Sequence, residues 1–360
     1  MIMISIICKN NILHSMYELS FNWRLGYPLK MQIKPTLKTI SELSGLATAT
    51  VSRALSNAPD ISSATKEKVR KIANEIGYVP NRAGVRLRTG RTNVISLILS
   101  TDTEIMNMTA RLISAIALGL RDTPYHLNMT HYFPGDDPMK PIKYIVETGS
   151  ADALIFNQVQ PNDPRVKYLI KEKFPFTMHG RSCVDEKQSF VDFDNAEFAK
   201  LGIEKLIKRN RKEILMITPP KEQSYGLEML TSAKATAKKH NVPLTIAPKI
   251  TSDSSIEEIS ACVSKQISKN KKIDSVLVAS PNSAMAAVAG FENLELKIGK
   301  DFDVVAKDAV NFLKLFRNQI IIIKEDMEIA GENLAKAAIH AAQNPTSKPI
   351  QFIDQPKSIK

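Results

Sequence analysis

The sequence predicts a small three-helix head, a short basic connector and a long α/β body of two parallel-sheet lobes. Three observations carry this expectation. Apolar residues recur at helical spacing between Thr36 and Ile76, in two short runs that meet at Gly45 and a third that ends at Gly77. Positive charge concentrates in the same segment: residues 31–93 hold 11 Lys+Arg against 4 Asp+Glu, whereas residues 94–360 carry only +3 of the chain's +12. From Asn93 onward, short apolar runs alternate with helical periods, the pattern of parallel strands covered on both faces.

In the head, Thr36 caps a first helix whose inward positions are Leu37, Ile40 and Leu43, and Gly45 supplies a left-handed stop. A second helix runs from Ala47 to Leu55. It buries Val51, Ala54 and Leu55 and turns Thr48, Ala49, Thr50, Ser52 and Arg53 away from its buried side. Asn57, Pro59 and Asp60 form a turn, and Ser62 caps a third helix with Val69, Ile72, Ala73 and Ile76 inward. Two short helices joined by a glycine turn and closed by a third make a helix-turn-helix pattern; a three-helix cap with a solvated polar face is the alternative. The outward face favours the first. Small residues let a helix sit deep in a major groove, Thr and Ala methyls meet thymine methyls, hydroxyls reach phosphates, and Arg53 can address guanine O6 and N7. Double-stranded operator DNA is therefore the expected partner, in keeping with the local charge.

The stretch TLKTISELSGLATATVSRALSN from Thr36, followed from Ile61 by ISSATKEKVRKIANEIGYVPNRAGVRLRTGRTNVISLIL, resembles the N-terminal signature of the lactose-repressor/galactose-repressor (LacI/GalR) family of bacterial transcription regulators. The matching elements are TL at Thr36, the Gly45 turn, TVSRAL from Thr50, GY at Gly77, PN at Pro80 and LRTGRT from Leu87. The likeness runs from Thr36 to the end of the chain in order and spacing, and is strongest before Val94. It implies base contacts from Thr48, Ala49 and Arg53, and DNA-binding roles for Thr36, Leu37, Thr50, Ser52, Asn57, Asn81 and Leu87. Ala47 stands at a cap position where the family usually has Ser, which removes a side-chain acceptor; Thr48 is the candidate substitute. Read by itself, NRAGVRLRTGRT is a flexible Arg-rich linker. The resemblance implies instead a hinge helix that folds on DNA, pairs with that of a second copy and drives Leu87 into the minor groove. Gly84, where the family commonly has Ala, costs such a helix about 1 kcal/mol.

The body reads as a strand at NVISLILS, a helix from Met108 to Leu120, a strand at YHLNMTH, a helix from Pro141 to Glu147 and a strand at ADALIFN. After FPFTMHG and SFVDFD the cycle resumes with Ala196 to Lys208, EILMIT, Tyr225 to His240, Ile256 to Ser268, SVLVAS, Ala284 to Phe291, DFDVVA, QIIIIKE and Met327 to Ala342. Two halves of similar size that meet near residues 192–195 indicate a bilobed fold with ligand in the cleft at the strand C-terminal ends. This is like the periplasmic sugar-binding proteins, as the resemblance also implies. The expected organisation is a leader at 1–30, the DNA-binding head at 31–80, a hinge at 81–92, and a periplasmic-binding-protein-like effector and dimerisation domain at 93–360.

For the effector site, the resemblance places Asp308 where the family has a hydroxyl-binding aspartate, with loop capping as the alternative role. Ser280 and Asn282 are the polar candidates beside Pro281, which replaces an acid. The family arginine expected near Tyr225 is missing from SYGLEMLTSAKA, leaving Arg181 in HGRS as its substitute or as a surface residue. The segments from Asn107 to Thr130 and Tyr132 to Leu169 are most similar to the branch that controls uptake of alpha-glucosides and related sugars. A neutral mono- or oligosaccharide is the expected effector, and a homodimer formed through the C-terminal lobes the expected assembly.

Other classes find less support. None of the 14 glycines lies two residues from another, so the dinucleotide fingerprint is absent, and there is no Walker loop, HExxH or GxSxG. Neither an enzyme nor a cofactor is expected. Cys8, Cys183 and Cys262 are widely spaced, and His126, His131 and His179 lack paired ligand spacing, so no metal site is expected. No apolar run reaches the roughly 18 residues of a membrane helix, and MIMISIICKN lacks a basic leading region, which points to a cytoplasmic protein. The first 30 residues, with Trp23, read as an upstream start or a poorly ordered extension, or else as a docking segment. KRNRK from Lys208 reads as a solvated connection. A soluble sugar-binding protein without DNA function is the second reading; such a chain would begin near residue 93 and carry an export signal.

Overall fold

The computed structural model describes residues 34–100, 108–133, 135–184, 187–309 and 312–358. It divides into two compact units, Met1–Arg88 and Thr89–Lys360. The reading of residues 1–30 as a leader lies outside the described residues.

In the first unit, α1 (Leu37–Ser44) opens on a reciprocal cap. Thr36 accepts from the Thr39 amide, and the Thr39 hydroxyl accepts from the Thr36 amide at 3.1 Å. Gly45 ends the helix at φ +72°, a left-handed conformation that glycine adopts without strain. Leu43 is not inward as expected: it is 58% exposed, and Ser44 is buried in its place. At 100° per residue, Ser44 lies about 40° from Ile40 on the side shared with Leu37, whereas Leu43 lies about 60° off on the other. Lys68 then donates to the Ser44 carbonyl at 2.8 Å. The next helix, α2 (Thr48–Leu55), has Ala47 at its cap with no side-chain hydrogen bond, so Thr48 does not take over the capping role. Ser62 caps α3 (Ser63–Glu75) by accepting from the Thr65 amide at 3.2 Å. Ile40, Val51, Ala54, Val69 and Ala73 form the core, with Leu37, Leu46, Leu55, Ile72 and Ile76 packed around it. The basic segment after Pro80 is helical as α4 (Arg82–Thr89).

The second unit holds two six-stranded sheets. The first contains β1 (Val94–Ser100), β2 (His126–Tyr132), β3 (Ala153–Phe156), β4 (Phe176–His179), β5 (Ser189–Phe193) and β11 (Gln351–Asp354), in the order β11-β5-β4-β3-β1-β2 and all parallel. The second contains β6 (Ile214–Ile217), β7 (Leu244–Ile246), β8 (Ser275–Val278), β9 (Asp303–Asp308), β10 (Ile321–Lys324) and β12 (Lys357–Ser358), in the order β12-β10-β9-β8-β6-β7. Only β12 runs antiparallel.

The first sheet is sandwiched by α5 (Met108–Gly119) and α13 (Met327–Gln343) on one face, and by α6 (Met139–Thr148) and α7 (Pro164–Lys171) on the other. On the second sheet the layers are α8 (Asn195–Lys208) with α9 (Ser224–Lys239), and α10 (Ile256–Lys269) with α11 (Pro281–Glu292), the short α12 (Leu313–Phe316) adding to the latter.

The expectation of two sequential halves needs correction. The chain passes between the lobes three times, after β5, after β10 and after β11, because α13 and β11 return to the first lobe. Close approach of two helices explains the return. A Cβ on Gly119 would stand 2.8 Å from the Ala335 Cβ, and one on Gly331 would stand 2.8 Å from the Ile116 amide nitrogen, so only glycines permit this α5–α13 crossing. Buried Ala330, Leu334, Ala335 and Ala338 of α13 complete the same core.

Candidate functional site

In the head, α2 exposes Thr48, Ala49 and Arg53, while Thr50 and Ser52 are half-buried. The arginine is not free in solution: its guanidinium pairs with Asp60, and that hydrogen bond holds the Asp60 carboxyl below its usual range. Thr36 is exposed but engaged in the α1 cap, and Leu37 packs against the core. Asn57 sits at φ +58° and accepts from Arg70 Nη2 at 3.3 Å, which gives it a turn-fixing job in the free protein. Asn81 is exposed before α4, and Leu87 on α4 is 90% exposed. A leucine so presented on a basic helix has no core to serve, the circumstance in which an apolar wedge is available to a nucleic acid.

In the body, the strand C-terminal ends gather charged and polar side chains at the junction of the lobes. Arg181, just past β4 in the first lobe, donates from Nε to Asp192 at 2.6 Å and from Nη2 to Glu228 on α9 of the second lobe at 2.8 Å. A backbone bond from Ser224 N to Val159 O, 2.8 Å, joins the lobes beside it. Burial raises the Asp192 and Glu228 pKa values against the pull of Arg181, whereas the flanking carboxylates outweigh burial and raise that of Arg181. A second group forms around buried Lys307 on β9. Its ammonium lies 2.8 Å from Glu325 and 3.2 Å from Asn195 Oδ1, over the rings of Phe193 and Tyr225. On the segments that the Ser224–Val159 bond joins, Asn157 Oδ1, Gln223 Oε1 and Ser224 Oγ are buried without a hydrogen-bond partner.

Of the effector residues expected from sequence, Arg181 joins this cluster. Asp308 is buried and accepts from the Leu313 amide at 3.2 Å, the loop-capping role held as its alternative. Ser280 caps α11 by accepting from the Ser283 amide at 3.2 Å, and Asn282 is half-buried in the first turn of that helix. Asp192, Glu228, Lys307, Glu325 and the three unpartnered polar residues were not anticipated. Lys307 had a signal, since a lysine directly after the apolar VVA run of a strand needs a partner if it is buried.

His179 closes β4 beside these groups. Desolvation lowers its pKa, against Glu325 and Asp192 and with help from Lys307. The neutral ring carries no penalty above about pH 6.5; as pH falls below that, the unfolded chain takes the proton first and stability is lost. His179→Gln is therefore expected to flatten the fall of the urea midpoint between about pH 7.5 and about pH 5.5. The raised Asp192 and Glu228 pKa values work in the opposite sense but are common to both proteins. Parallel wild-type and variant pH profiles would refute this account.

Comparison with known proteins assigns both units. Residues 36–81 match the family described as bacterial regulatory proteins, lacI family, and residues 203–359 match the periplasmic binding protein-like domain. The chain is 22% identical over 329 residues to the HTH-type transcriptional regulator CelR of Thermobifida fusca, covering 89% of this chain and 95% of that protein. It is 27% identical over 323 residues to the HTH-type transcriptional regulator AglR of Rhizobium meliloti, covering 88% and 90%. Among solved structures, the lac repressor dimer bound to operator and the anti-inducer ONPF superposes with a TM-score of 0.75 at 18% identity, covering 91% of this chain and 98% of that one. The complex of the regulator CelR with cellobiose gives 0.66 at 20% identity, covering 91% and 99%. Among the described residues no helix is long and apolar enough to cross a membrane. With a glycine-turned helix pair at one end and a two-sheet body at the other, the chain belongs to the lacI family of bacterial regulatory proteins and is a DNA-binding transcriptional regulator.

Proposed function

We propose that this protein is a homodimeric repressor whose operator affinity is set by a neutral mono- or oligosaccharide bound between the lobes of the body. The observation that carries the reading is the junction cluster. Arg181 and Glu228 face each other from different lobes, and Asn157 Oδ1, Gln223 Oε1 and Ser224 Oγ lie unpartnered on the segments that the Ser224–Val159 bond joins across the junction. Hydroxyl-rich ligands suit such a place, because each hydroxyl both donates and accepts, and buried polar atoms without partners are costly. Asp308, Ser280 and Asn282 stand at the C-terminal ends of β9 and β8, where Asp308 and Ser280 make capping bonds. That the relative CelR was solved with cellobiose supports a sugar, and the sequence likeness favours the alpha-glucoside branch.

In this reading, residues 31–80 bind operator DNA. Thr48, Ala49 and Arg53 reach bases, while Thr36, Leu37, Thr50, Ser52, Asn57 and Asn81 position the head on the backbone. Residues 81–92 are the hinge and residues 93–360 bind effector and dimerise. Ligand at the lobe junction shifts the DNA-binding equilibrium, a coupling typically of about 1 to 3 kcal/mol. Thermal-shift screening against a sugar panel that includes cellobiose, with Asp308→Asn as control, tests it. A sugar that raises the wild-type melting temperature, weakens operator binding and loses its effect in the variant is the expected result. If no sugar shifts the wild type, the ligand class is wrong; if a hit binds the variant equally well, the pocket is wrong.

For the hinge, Leu87→Ala is expected to weaken operator binding by about tenfold or more, as the burial of a leucine side chain is forfeited, and to reduce the DNA bend. Circular-permutation gels measure the bend directly. An unchanged angle places the wedge elsewhere.

A further inference from the structure

We infer that Asp60 is a positioning residue for base readout, holding the Arg53 guanidinium ready on the exposed face of α2. The inference rests on the reading of α2 as the base-contacting helix. Arg53 leaves the last turn of α2, Asp60 stands in the turn that follows, and Arg53 Nη2 meets Asp60 Oδ2. Both side chains are about half exposed, so the pair adds little to folding. Its consequence is the direction in which the guanidinium points.

The turn that carries Asp60 is well fixed. The Ala58 amide donates to the Arg53 carbonyl at 3.0 Å, Ser56 Oγ donates to the Ser52 carbonyl at 2.7 Å, and Asn57 is locked to Arg70. Pro59 restricts the backbone immediately before the acid. A carboxylate at a defined place therefore selects among the many rotamers of a long side chain. A guanidinium has five N–H donors, and the ion pair takes one of the two on Nη2, so the other Nη2 hydrogen and its neighbour on the same edge remain as a parallel pair for guanine O6 and N7. The acid is also anchored as an acid, since Arg53 keeps its carboxyl deprotonated below the usual range.

A carboxylate beside DNA also repels phosphates, and this provides the discriminating sign. Repulsion acts on every duplex equally, because all sequences carry the same phosphates. Positioning acts only where a guanine is in place. Removing Asp60 should thus leave or raise affinity for random DNA while lowering preference for operator.

The test uses the full chain in fluorescence anisotropy. The probes are a duplex selected by the wild-type protein from a random pool and a scrambled duplex of the same length. Asp60→Asn is expected to lower the selected-to-scrambled affinity ratio roughly two- to fivefold, Asp60→Glu to restore most of it, and Asp60→Asn to change nothing further in an Arg53→Ala background. Wild-type melting temperatures in all variants show that folding is untouched. Affinity that rises equally for both duplexes in Asp60→Asn, or a ratio that falls as much without Arg53 as with it, overturns the inference while leaving α2 as the reading helix. An unchanged ratio in Arg53→Ala alone rejects the base-contact role of Arg53, and the role of Asp60 with it.

Discussion

Arg53→Ala is expected to erase the preference for operator over random duplex while the protein melts at the wild-type temperature. The side chain is exposed on α2 and belongs to no core, and its ion pair with Asp60 is of the surface kind that contributes little to folding. On DNA the same guanidinium can make two parallel bonds to one guanine, a discrimination of about 1 to 3 kcal/mol, or roughly 5- to 150-fold. Affinity for random sequence should fall much less, because the head retains its other cations near the backbone. Binding of the operator and a scrambled duplex at fixed salt measures both. Selectivity equal to wild type would show that Arg53 reads no base.

The largest effect on stability is expected from Lys307→Ala. Lys307 and Glu325 are each less than one tenth exposed and lie 2.8 Å apart, with Asn195 and two aromatic rings completing the enclosure. Removing the ammonium leaves a buried carboxylate without its partner, a change that typically costs about 3 to 5 kcal/mol. The double substitution Lys307→Met with Glu325→Gln removes both charges and keeps most of the volume, so its loss should be much smaller. Urea unfolding of the three proteins separates the outcomes. If the double variant is no more stable than Lys307→Ala, the cost lies in packing against Phe193 and Tyr225 rather than in the stranded charge.

These two residues mark opposite ends of what could be read from the chain. The exposure of Arg53 was legible because it follows from position on one short helix. Thr36, Gly45, Ser62 and Gly77 fix the boundaries within a few residues, and helical geometry then dictates which side chains face outward. Lys307 was visible only as a charge at the end of the apolar VVA run of β9.

Local order was similarly plain in the body. Most strands and helices fall where alternation placed them; α7 is a helix the sequence reading did not place, although Asp163 followed by Pro164 is a start signal. The short elements β7, α12, β11 and β12 have too few residues to show a period.

The sequence by itself determined the helix-turn-helix head, the side chains its second helix exposes, the basic segment that follows and the class of the body, because each depends on dihedral preferences, caps and periodicity acting over a few residues. Tertiary structure alone decided which lobe α13 joins, since an apolar helix face does not specify its sheet; glycines at the α5–α13 crossing do, and only once the two helices meet. It likewise decided the junction cluster. Arg181 and Glu228 are 47 residues apart and Lys307 and Asn195 are 112 apart, distances in sequence over which no local rule acts. Arg181, the candidate for the arginine missing near Tyr225, meets Glu228 of the opposite lobe, because partly buried charges are tolerated where packing brings an opposite charge within hydrogen-bond reach.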